Sequence, residues 1–398
     1  MEDPRERLVP SVSTAELERR WKAARQVMRD RKIDFLVMRQ DEEYYGGYIR
    51  WFSAIAARHS YPITVIFPID DEMATISSSP PAPPNDGRPP EWAVRGVKTR
   101  LGAPYYPSLH FTNTYDAELA VKYFKEKKPA TIGFVGLSSI HVPFHQYLTQ
   151  NLPGVTFVDA TDPIDYLKAI KSPEEIELIK GTARLQDAVM DHLKKVIRPG
   201  MKDLDINAEA DYVSTKLGST RLQVLISSYH PGEQPVGFMG RLFMNRVIRK
   251  GDQLVVLLEG NGPGGFVTEI ARVFSLGEPV QEAKDMYALA LEAQEYTRKM
   301  LKPGADPKEI WDANNAFLQK GGSGPEGRLY CHGEGYEMVE RPVVRYDEPM
   351  KLQAGMNLAN HPVAKNKRVW ITVCDNFLIT ESGLAPCLHK TPKDIIVL

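Results

Sequence analysis

The 398-residue sequence contains only three cysteines, all of which lie after residue 330. This small and odd number of cysteines excludes the disulfide framework of a small secreted protein. We therefore expect a reducing, cytoplasmic location. No stretch approaches the roughly 18 consecutive apolar residues that a membrane span requires. The charged N-terminal segment MEDPRERLVPS also lacks the apolar core of a secretory signal.

Neither sign of charge is in excess, because 50 Lys and Arg stand against 51 Asp and Glu. A nucleic-acid-binding protein would show a basic excess, and a disordered chain would combine low hydrophobicity with a large net charge. Here 42% of the residues are hydrophobic. At roughly 150 residues per domain, the length predicts two or three domains. These features indicate a multi-domain enzyme for a small-molecule substrate, with neither nucleic acid nor membrane as a partner.

The first 160 residues alternate between predicted helices and strands, which is typical of an α/β domain. Ser13 and Thr14 offer N-caps for a helix that extends to about Arg31. Apolar runs then predict strands at 33–38, 62–68, 73–77, 130–135 and 155–158. The proline-rich segment 77–92 is predicted to be a loop, either a solvated insertion or a lid or dimer contact.

The rest of the chain repeats itself, beginning with a helix start signal at 172–175. One long helix ends in VIRPG (196–200) and another in MLKPG (300–304), so the two Pro-Gly pairs are 104 residues apart. Gly251 and Gly355, each opening an apolar strand, are also 104 residues apart. Each half therefore has the order helix, turn, helix, strands. Two such halves predict an α+β domain with pseudo-two-fold symmetry and a cleft where they join.

Metal-type ligands are concentrated in this repeated region. Residues 257–274 predict a hairpin with Glu259 just before its turn and Glu269 just after it. A carboxylate in an apolar strand is costly unless it is paired or binds a metal. Arg272 is the alternative partner for either Glu, which would make the pair purely structural.

Two histidines and a cysteine follow in similar surroundings. His332 lies in the glycine-rich segment CHGEGYEMVERP (331–342), and His361 follows an apolar strand. Cys374 and the adjacent Asp375 lie inside another apolar run. Imidazole and thiolate are good ligands for zinc or iron, and carboxylates can complete the coordination.

These motifs resemble the pita-bread family, which includes methionine aminopeptidases, prolidases, aminopeptidase P and creatinase. Residues from about 172 to 398 are similar to its catalytic domain, and the first 160 residues to the smaller N-terminal domain of prolidase and creatinase. We therefore expect an α/β domain over 1–165 and a pita-bread domain over 166–398. The resemblance also implies a homodimer.

The resemblance extends to individual motifs. GDQLVVLLEG, FVTEIARVF, CHGEGYEMVERP, GMNLANHP and ITVCDNFLIT are similar to the five segments that carry the family's metal ligands. It places the first and second metal-binding Asp at Glu259 and Glu269, the His ligand at His332, the Glu that precedes Pro at His361, and the last Glu at Cys374. Two carboxylates of the family are thus replaced by His361 and Cys374.

These replacements disfavour the family's two-metal centre, because neither a His nor a Cys can form a bidentate carboxylate bridge. The ligand set becomes Glu269, His332, His361 and Cys374, with Glu259 nearby, and suits one divalent ion, zinc or iron. The alternative is the situation in creatinase, where no metal is bound and the polar cluster binds the substrate directly.

The family's catalytic histidines are also missing. The position of the first of these histidines is near Met239-Gly240, and the nearest histidine that could replace it is His230. The position of the second is occupied by Val339. Proton shuttling to a leaving amine needs a group that titrates near neutral pH, so ordinary Xaa-Pro cleavage is not expected. The remaining candidates for acid, base or substrate-anchoring roles are Glu259, Tyr336, Glu337, Glu340, Arg341, Asp375 and His230.

Three functions remain open on these grounds. The first is a hydrolase of a C–N bond in a small, non-standard substrate, as creatinase and ectoine hydrolase are within this fold. The second is a lyase that removes a proton next to a substrate carboxylate. The third is a non-catalytic binding protein on the same fold.

Overall fold

The computed structural model describes residues 11–42, 47–57, 61–78, 94–104, 114–383 and 385–398. The chain divides into two compact units, Met1–Lys168 and Ala169–Leu398. Nearly all of the proline-rich segment 77–92 lies outside the described residues, so its predicted role stays a prediction. In the ranges that are described, no helix is long and apolar enough to cross a bilayer.

The first unit is an α/β domain, as the alternation of elements predicts. Its helices are α1 (Thr14–Arg31), α2 (Gly47–Ser53), α3 (Tyr115–Lys127), α4 (Val142–Asn151) and α5 (Thr161–Ala169), and its strands are β1 (Phe35–Gln40), β2 (Ile63–Pro68), β3 (Met73–Ser78), β4 (Val97–Ala103), β5 (Thr131–Phe134) and β6 (Thr156–Asp159). The strands form one mixed sheet in the order β4-β3-β2-β1-β5-β6. β1 pairs antiparallel with β2 and parallel with β5, and β5 pairs parallel with β6.

Helix α1 shows why this sequence begins the unit with a helix. The Ser13 hydroxyl accepts a hydrogen bond from the Glu16 amide at 3.1 Å, which satisfies one of the free N–H groups of the first turn. Leu17, Ala24 and Met28 recur at helical spacing and are fully buried. The predicted start and end of this helix are both confirmed.

The second unit contains the remaining elements. Its helices are α6 (Pro173–Val196), α7 (Asp203–Lys216), α8 (Gln281–Arg298) and α9 (Pro307–Lys320), and its strands are β7 (Leu222–Tyr229), β8 (Gln253–Asn261), β9 (Val267–Ser275), β10 (Cys331–Gly333), β11 (Glu340–Val343), β12 (Asn357–Asn360), β13 (Val363–Lys365), β14 (Trp370–Thr372), β15 (Asp375–Leu378) and β16 (Ile396–Val397). Helix α6 starts with the predicted capping box, in which the Ser172 and Glu175 side chains bond each other's backbone amides.

The internal repeat is confirmed down to the backbone conformation. Gly200 and Gly304 have φ of 95° and 83°, and Gly251 and Gly355 have φ of 89° and 87°. All four lie in the left-handed region that favours glycine, so matched positions of the two halves share the same backbone conformation. The two halves give the sheets β16-β9-β8-β7 and β11-β10-β12-β15.

A backbone bridge joins the two sheets between β9 and the residue before β15. The Ala271 amide of β9 donates to the Cys374 carbonyl at 3.1 Å, and the Cys374 amide donates back to Ala271 at 3.4 Å. This bridge places the hairpin β8–β9 beside β15, although the two segments are about a hundred residues apart in the sequence. The candidate ligands of the two halves are therefore brought to one place.

Strand β8 is buried on both faces, which explains its continuous apolar run. Leu254, Val256 and Leu258 pack with apolar residues of α6 and α7. Val255 and Leu257 face the other way and pack with α8 and with Cys374. Because side chains alternate along a strand, Glu259 continues the face of Val255 and Leu257.

Arg272 holds the second unit together where its sheets meet. Its guanidinium is fully buried and donates to Asp375 Oδ1 of β15 at 2.7 Å. Its other N–H groups donate to four backbone carbonyls, at distances of 2.7 to 3.0 Å, on residues 271, 374, 391 and 392. All five donors of the guanidinium are thus used, and they join β9, β15 and the segment before β16.

We expect Arg272→Met to lower the free energy of unfolding of the second unit by about 3–5 kcal/mol, because it removes one partner of a buried ion pair and leaves carbonyl groups without a donor. Hydrogen–deuterium exchange of β9 and β15 peptides in increasing urea measures this loss. Arg345→Met removes an exposed pair with Asp347 and serves as the control, for which no change is expected. Equal stability of the Arg272 variant and the wild type would contradict this account.

Candidate functional site

The predicted hairpin places Glu259 and Glu269 directly opposite each other on β8 and β9. Opposed residues of an antiparallel pair have Cβ atoms about 4.5–5.5 Å apart, so the two carboxylates are neighbours. They are only 7% and 3% exposed. Arg272, the alternative partner considered from the sequence, points to the opposite face and binds Asp375 instead. The two Glu side chains therefore do not belong to that ion pair.

His332 and His361 complete a group of three ligands with Glu269. His332 Nε2 lies 3.5 Å from Glu269 Oε2, and the two imidazole centroids are 5.3 Å apart. One ligand atom from each of the three residues lies within 4.8 Å of the others. His332 is on β10, and His361 follows β12, the strand that pairs with β10. The antiparallel pairing of these strands thus brings together histidines that are 29 residues apart.

Glu334 is a further buried carboxylate of the site, which the sequence analysis did not select. It is fully buried, and one of its oxygens lies within 4.8 Å of carboxylate oxygens of Glu259 and Glu269. Glu334 Oε2 accepts a hydrogen bond from Asn376 Nδ2 at 2.5 Å. The side-chain Oδ1 of the same asparagine accepts a hydrogen bond from the Glu269 backbone amide at 2.8 Å. The signal was present in the motif, because residue i+2 follows His332 onto the same side of an extended segment.

The three carboxylates differ in how readily they hold a proton. Burial and the adjacent Glu269 charge raise the pKa of Glu259 well above its usual range. Burial raises the pKa of Glu334 to about 8, with Glu269 adding to the shift and His332 opposing it. Burial also acts to raise the pKa of Glu269, but the charges of His361 and His332 prevail and lower it to about 2. Glu269 is therefore the ionised member at neutral pH.

The two imidazoles are shifted in opposite directions. Burial lowers the pKa of His361, which keeps it neutral near pH 7. Burial also acts to lower the pKa of His332, but its hydrogen bond to Glu269 prevails and raises it. A neutral imidazole is the form that binds a metal. The His332 Nδ1 atom lies 3.1 Å from the Gly333 carbonyl, an arrangement that orients the ring with Nε2 toward Glu269.

Cys374, the fourth predicted ligand, contacts Glu269 rather than the two imidazoles. Its thiol donates to the Glu269 backbone carbonyl at 3.5 Å. Burial and the charges of Glu269 and Glu334 raise the pKa of the Cys374 thiol well above its usual value. The described ligand groups contain Glu269, His332 and His361 together, without the Cys374 sulfur.

Glu340 lies next to the site but acts on the backbone. Its Oε1 accepts from the Tyr336 amide at 2.9 Å, and its Oε2 forms a buried ion pair with Lys171 at 2.7 Å. A Cβ at Gly335 would come within 2.5 Å of the Glu340 carboxylate, so only glycine allows this close approach. The Tyr336 ring stacks on Phe266 with centroids 4.3 Å apart. Glu340 therefore positions the segment that carries Tyr336.

Two other predicted residues have different surroundings. Asp375 is bound to Arg272 and Lys393, on the opposite side of β15 from Asn376. His230 pairs with Asp252 at 2.9 Å, seven residues along the chain from Gln223, the partner of Glu259. At about 3.3 Å per residue that separation is roughly 20 Å. Neither belongs to the cluster around Glu269.

The remaining two candidates, Glu337 and Arg341, flank Glu340. The Glu337 amide donates to Glu340 Oε1 at 3.3 Å. Arg341 pairs with Glu348 at 2.6 Å.

The donor set suits a divalent metal of intermediate softness. Two imidazoles and an ionised carboxylate are a common protein ligand set for zinc and for iron(II), with positions left open for water or substrate. The residues present therefore fit the single divalent ion that the sequence predicts.

Comparison with known proteins identifies the relatives of this chain. The model of metallopeptidase family M24 matches residues 177–381. The Xaa-Pro dipeptidase of Pyrococcus furiosus is 27% identical over 306 residues, covering 73% of this chain and 85% of that protein. The uncharacterized peptidase YqhT of Bacillus subtilis is 26% identical over 245 residues, covering 61% and 68%. An X-Pro aminopeptidase from Thermotoga maritima has a TM-score of 0.77 at 19% identity, covering 95% and 99% of the two chains. The predicted fold is confirmed.

The buried His389 beside this site predicts an acid sensitivity. Burial lowers its pKa to about 4, with the charge of Arg272 adding to the shift and Asp375 opposing it. The unfolded chain binds this proton near pH 6.5 and the folded chain only near pH 4, so stability falls as the pH drops between them. From pH 7 to pH 5 we expect a loss of about 2 kcal/mol in the second unit.

Urea unfolding at each pH, followed by hydrogen exchange of β15, measures this loss. His389→Asn is the matched variant, because its amide oxygen can accept from the Asn376 amide as His389 Nδ1 does at 3.3 Å. The variant should lose less stability on acidification than the wild type. Parallel pH dependences would show that His389 is not the titrating group.

Proposed function

Because the chain belongs to metallopeptidase family M24 and is a hydrolase, we propose that it hydrolyses a C–N bond in a small substrate other than an Xaa-Pro dipeptide. One zinc or iron ion would be held by Glu269, His332 and His361. The observation that carries this proposal is the convergence of these three side chains within 4.8 Å at the junction of the two halves. The relatives named Xaa-Pro dipeptidase supply the reaction class.

The metal would polarise the scissile group and lower the pKa of a bound water, which is the chemistry that a divalent ion supplies to hydrolases. Glu269 supplies the negative charge of the ligand set, since its pKa is lowered to about 2. His361 supplies a neutral imidazole because burial lowers its pKa. Burial of the cluster keeps bulk water away, so that charges act on the substrate in a low dielectric.

The proposal of a substrate other than an Xaa-Pro dipeptide rests on the residues around the three candidate metal ligands. Val339 is an alkyl side chain that can neither donate nor accept a proton, at the place where the family resemblance implies a histidine. Glu340 follows it, but Lys171 and the Tyr336 amide already occupy its two oxygens. Glu340 is therefore a positioning residue. A substrate whose leaving nitrogen needs less protonation than a proline amide fits this arrangement better.

Metal content provides the first test. We expect purified protein to contain about one equivalent of zinc plus iron, and His332→Ala and His361→Ala to retain less than a tenth of it, because each variant removes one of three ligands. His192→Ala is the control, since His192 pairs with Glu209 on α7 and contacts no ligand of the group. Plasma emission spectrometry measures the content. Full metal content in the His332 and His361 variants would overturn the assignment.

Substrate chemistry provides the second test. We expect creatine or the cyclic amidine ectoine to be hydrolysed with a higher kcat/KM than Ala-Pro, and one oxygen from ¹⁸O-labelled water to enter the product. Liquid chromatography with mass detection measures both rate and label. His332→Ala should lower kcat/KM at least a hundredfold, whereas His192→Ala should not change it.

Faster turnover of Ala-Pro would instead make the protein an ordinary Xaa-Pro peptidase. An unsaturated product without the label would make it a lyase, and the absence of turnover with all three compounds would favour a binding protein. Each of these results overturns the proposal.

A further inference from the structure

The order of the strands in the first unit creates a switch point between β1 and β5. The chain runs from β1 through β2 and β3 to β4 at one edge of the sheet, and then returns to place β5 and β6 on the other side of β1. β1 and β5 are parallel, so their carboxyl ends lie at the same edge. In open α/β sheets, ligands bind outside the carboxyl ends of the strands at such a point.

Two helices begin at this edge, because Arg39 near the end of β1 contacts the first turn of each. Its Nε donates to Asp116 Oδ2 in the first turn of α3 at 2.6 Å. Its guanidinium carbon lies 5.6 Å from the centroid of the Phe144 ring in the first turn of α4. A helix amino end carries partial positive charge and N–H groups without intrahelical partners. Two such ends and a guanidinium therefore meet at the switch point.

The first turns of both helices lack the side-chain caps that usually satisfy their N–H groups. Neither N-cap residue, Thr114 or His141, forms a capping hydrogen bond. The Thr114 hydroxyl donates to Glu118 Oε1 at 2.9 Å instead. In α4 the N–H groups of the first turn are thus left to an acceptor from outside the helix.

Arg39 carries a buried donor that the described residues do not use. The residue is only 2% exposed, and its Nη1 has no hydrogen-bond partner in the described part of the chain. The Nε–H and Nη1 groups lie on different edges of the planar guanidinium, so Nη1 points away from the Asp116 carboxylate. A buried donor left unpaired is costly, and native proteins seldom keep one without a ligand.

The charges at this edge favour an anion. The Asp116 carboxylate is already in use, since its Oδ2 binds Arg39 and its Oδ1 accepts from the Ala117 amide at 3.0 Å. Asp41 Oδ2 lies 3.3 Å from His141 Nε2. The amino end of α4, worth about half a positive charge, has no acidic residue in its first turn. An anion between α4 and Arg39 would compensate this charge.

We propose that the first unit binds a phosphate group at this edge, between Arg39 and the amino end of α4. The ligand would be inorganic phosphate or a phosphomonoester. A phosphate group has enough oxygens to accept from helix N–H groups and from an arginine at the same time. The residues involved belong to a different unit from the candidate metal ligands, so this inference does not depend on the proposed function.

Isothermal titration calorimetry of the full chain with inorganic phosphate tests this site. We expect the wild type to bind one phosphate per chain, and Arg39→Met to bind it at least about tenfold more weakly, because a charge-assisted donor is lost. Lys127→Met is the matched control. It removes the same charge from the last turn of α3, roughly 18 Å from the amino end of that helix, and should bind phosphate as the wild type does.

Two further variants separate binding from folding, because Arg39→Met leaves the buried Asp116 carboxylate without its partner. Arg39→Lys keeps a positive charge for Asp116 but lacks the second edge of the guanidinium. His141→Asp adds a capping carboxylate that can accept from the first-turn N–H groups of α4 and repels an anion. Both variants should show the circular dichroism of the folded wild type and bind phosphate at least about tenfold more weakly.

Competitors and a variant of the other unit identify the ligand and its place. Glycerol phosphate should displace inorganic phosphate, acetate should not, and His332→Ala should bind phosphate as the wild type does. Loss of binding in His332→Ala would place the phosphate on the candidate metal site and overturn the inference. It would also be overturned by equal displacement with acetate, by wild-type affinity in the Arg39 and His141 variants, or by a wild type without saturable binding.

Discussion

The second unit depends on the buried ion pair between Arg272 and Asp375. The repeat produces two sheets, and one backbone bridge between Ala271 and Cys374 would be a weak connection by itself. Arg272 strengthens it, because the same guanidinium binds the Asp375 carboxylate and the Cys374 carbonyl. A fully buried charge is stable only when its hydrogen-bonding capacity is satisfied, and here every N–H has an acceptor. The position of β15 relative to β9 is therefore fixed before any metal binds.

That fixed junction lets three consecutive residues of one short segment serve different purposes. Asp375 faces Arg272 because side chains alternate, so Cys374 and Asn376 face the opposite side, where Glu269 lies. Cys374 bonds Glu269, and Asn376 links Glu269 to Glu334. The ion pair and the ligand cluster thus lie on opposite sides of the same segment, and Arg272 pairs with Asp375 instead of with a carboxylate of the cluster. The Arg272 guanidinium cannot neutralise the site, which leaves the carboxylates available to a cation.

The sequence predicted the fold well and the site only in part. The 104-residue spacing of two Pro-Gly pairs was sufficient to predict the repeat, because a turn with a glycine in the left-handed region leaves a local signature. The hairpin that places Glu259 opposite Glu269 was also predictable, because its turn and strands are adjacent in the sequence. The pairing of Arg272 with Asp375 could not be predicted from a local pattern. Asp375 lies about a hundred residues away, and the contact depends on how the two halves meet. Glu334 was not selected, although it lies two residues after His332 in the same glycine-rich segment.

Glu334 adds a third buried carboxylate to the pair formed by Glu259 and Glu269. At neutral pH a cluster that buries three carboxylates must hold either protons or cations, and the distances decide which carboxylate responds. Glu269 stays ionised because two imidazoles face it, so an added proton goes to Glu259 and Glu334. A thiol at Cys374 adds neither charge nor a carboxylate oxygen while it remains protonated. The protonation state of the cluster near neutral pH therefore depends on Glu334 and Glu259, whose pKa values are raised, more than on Glu269.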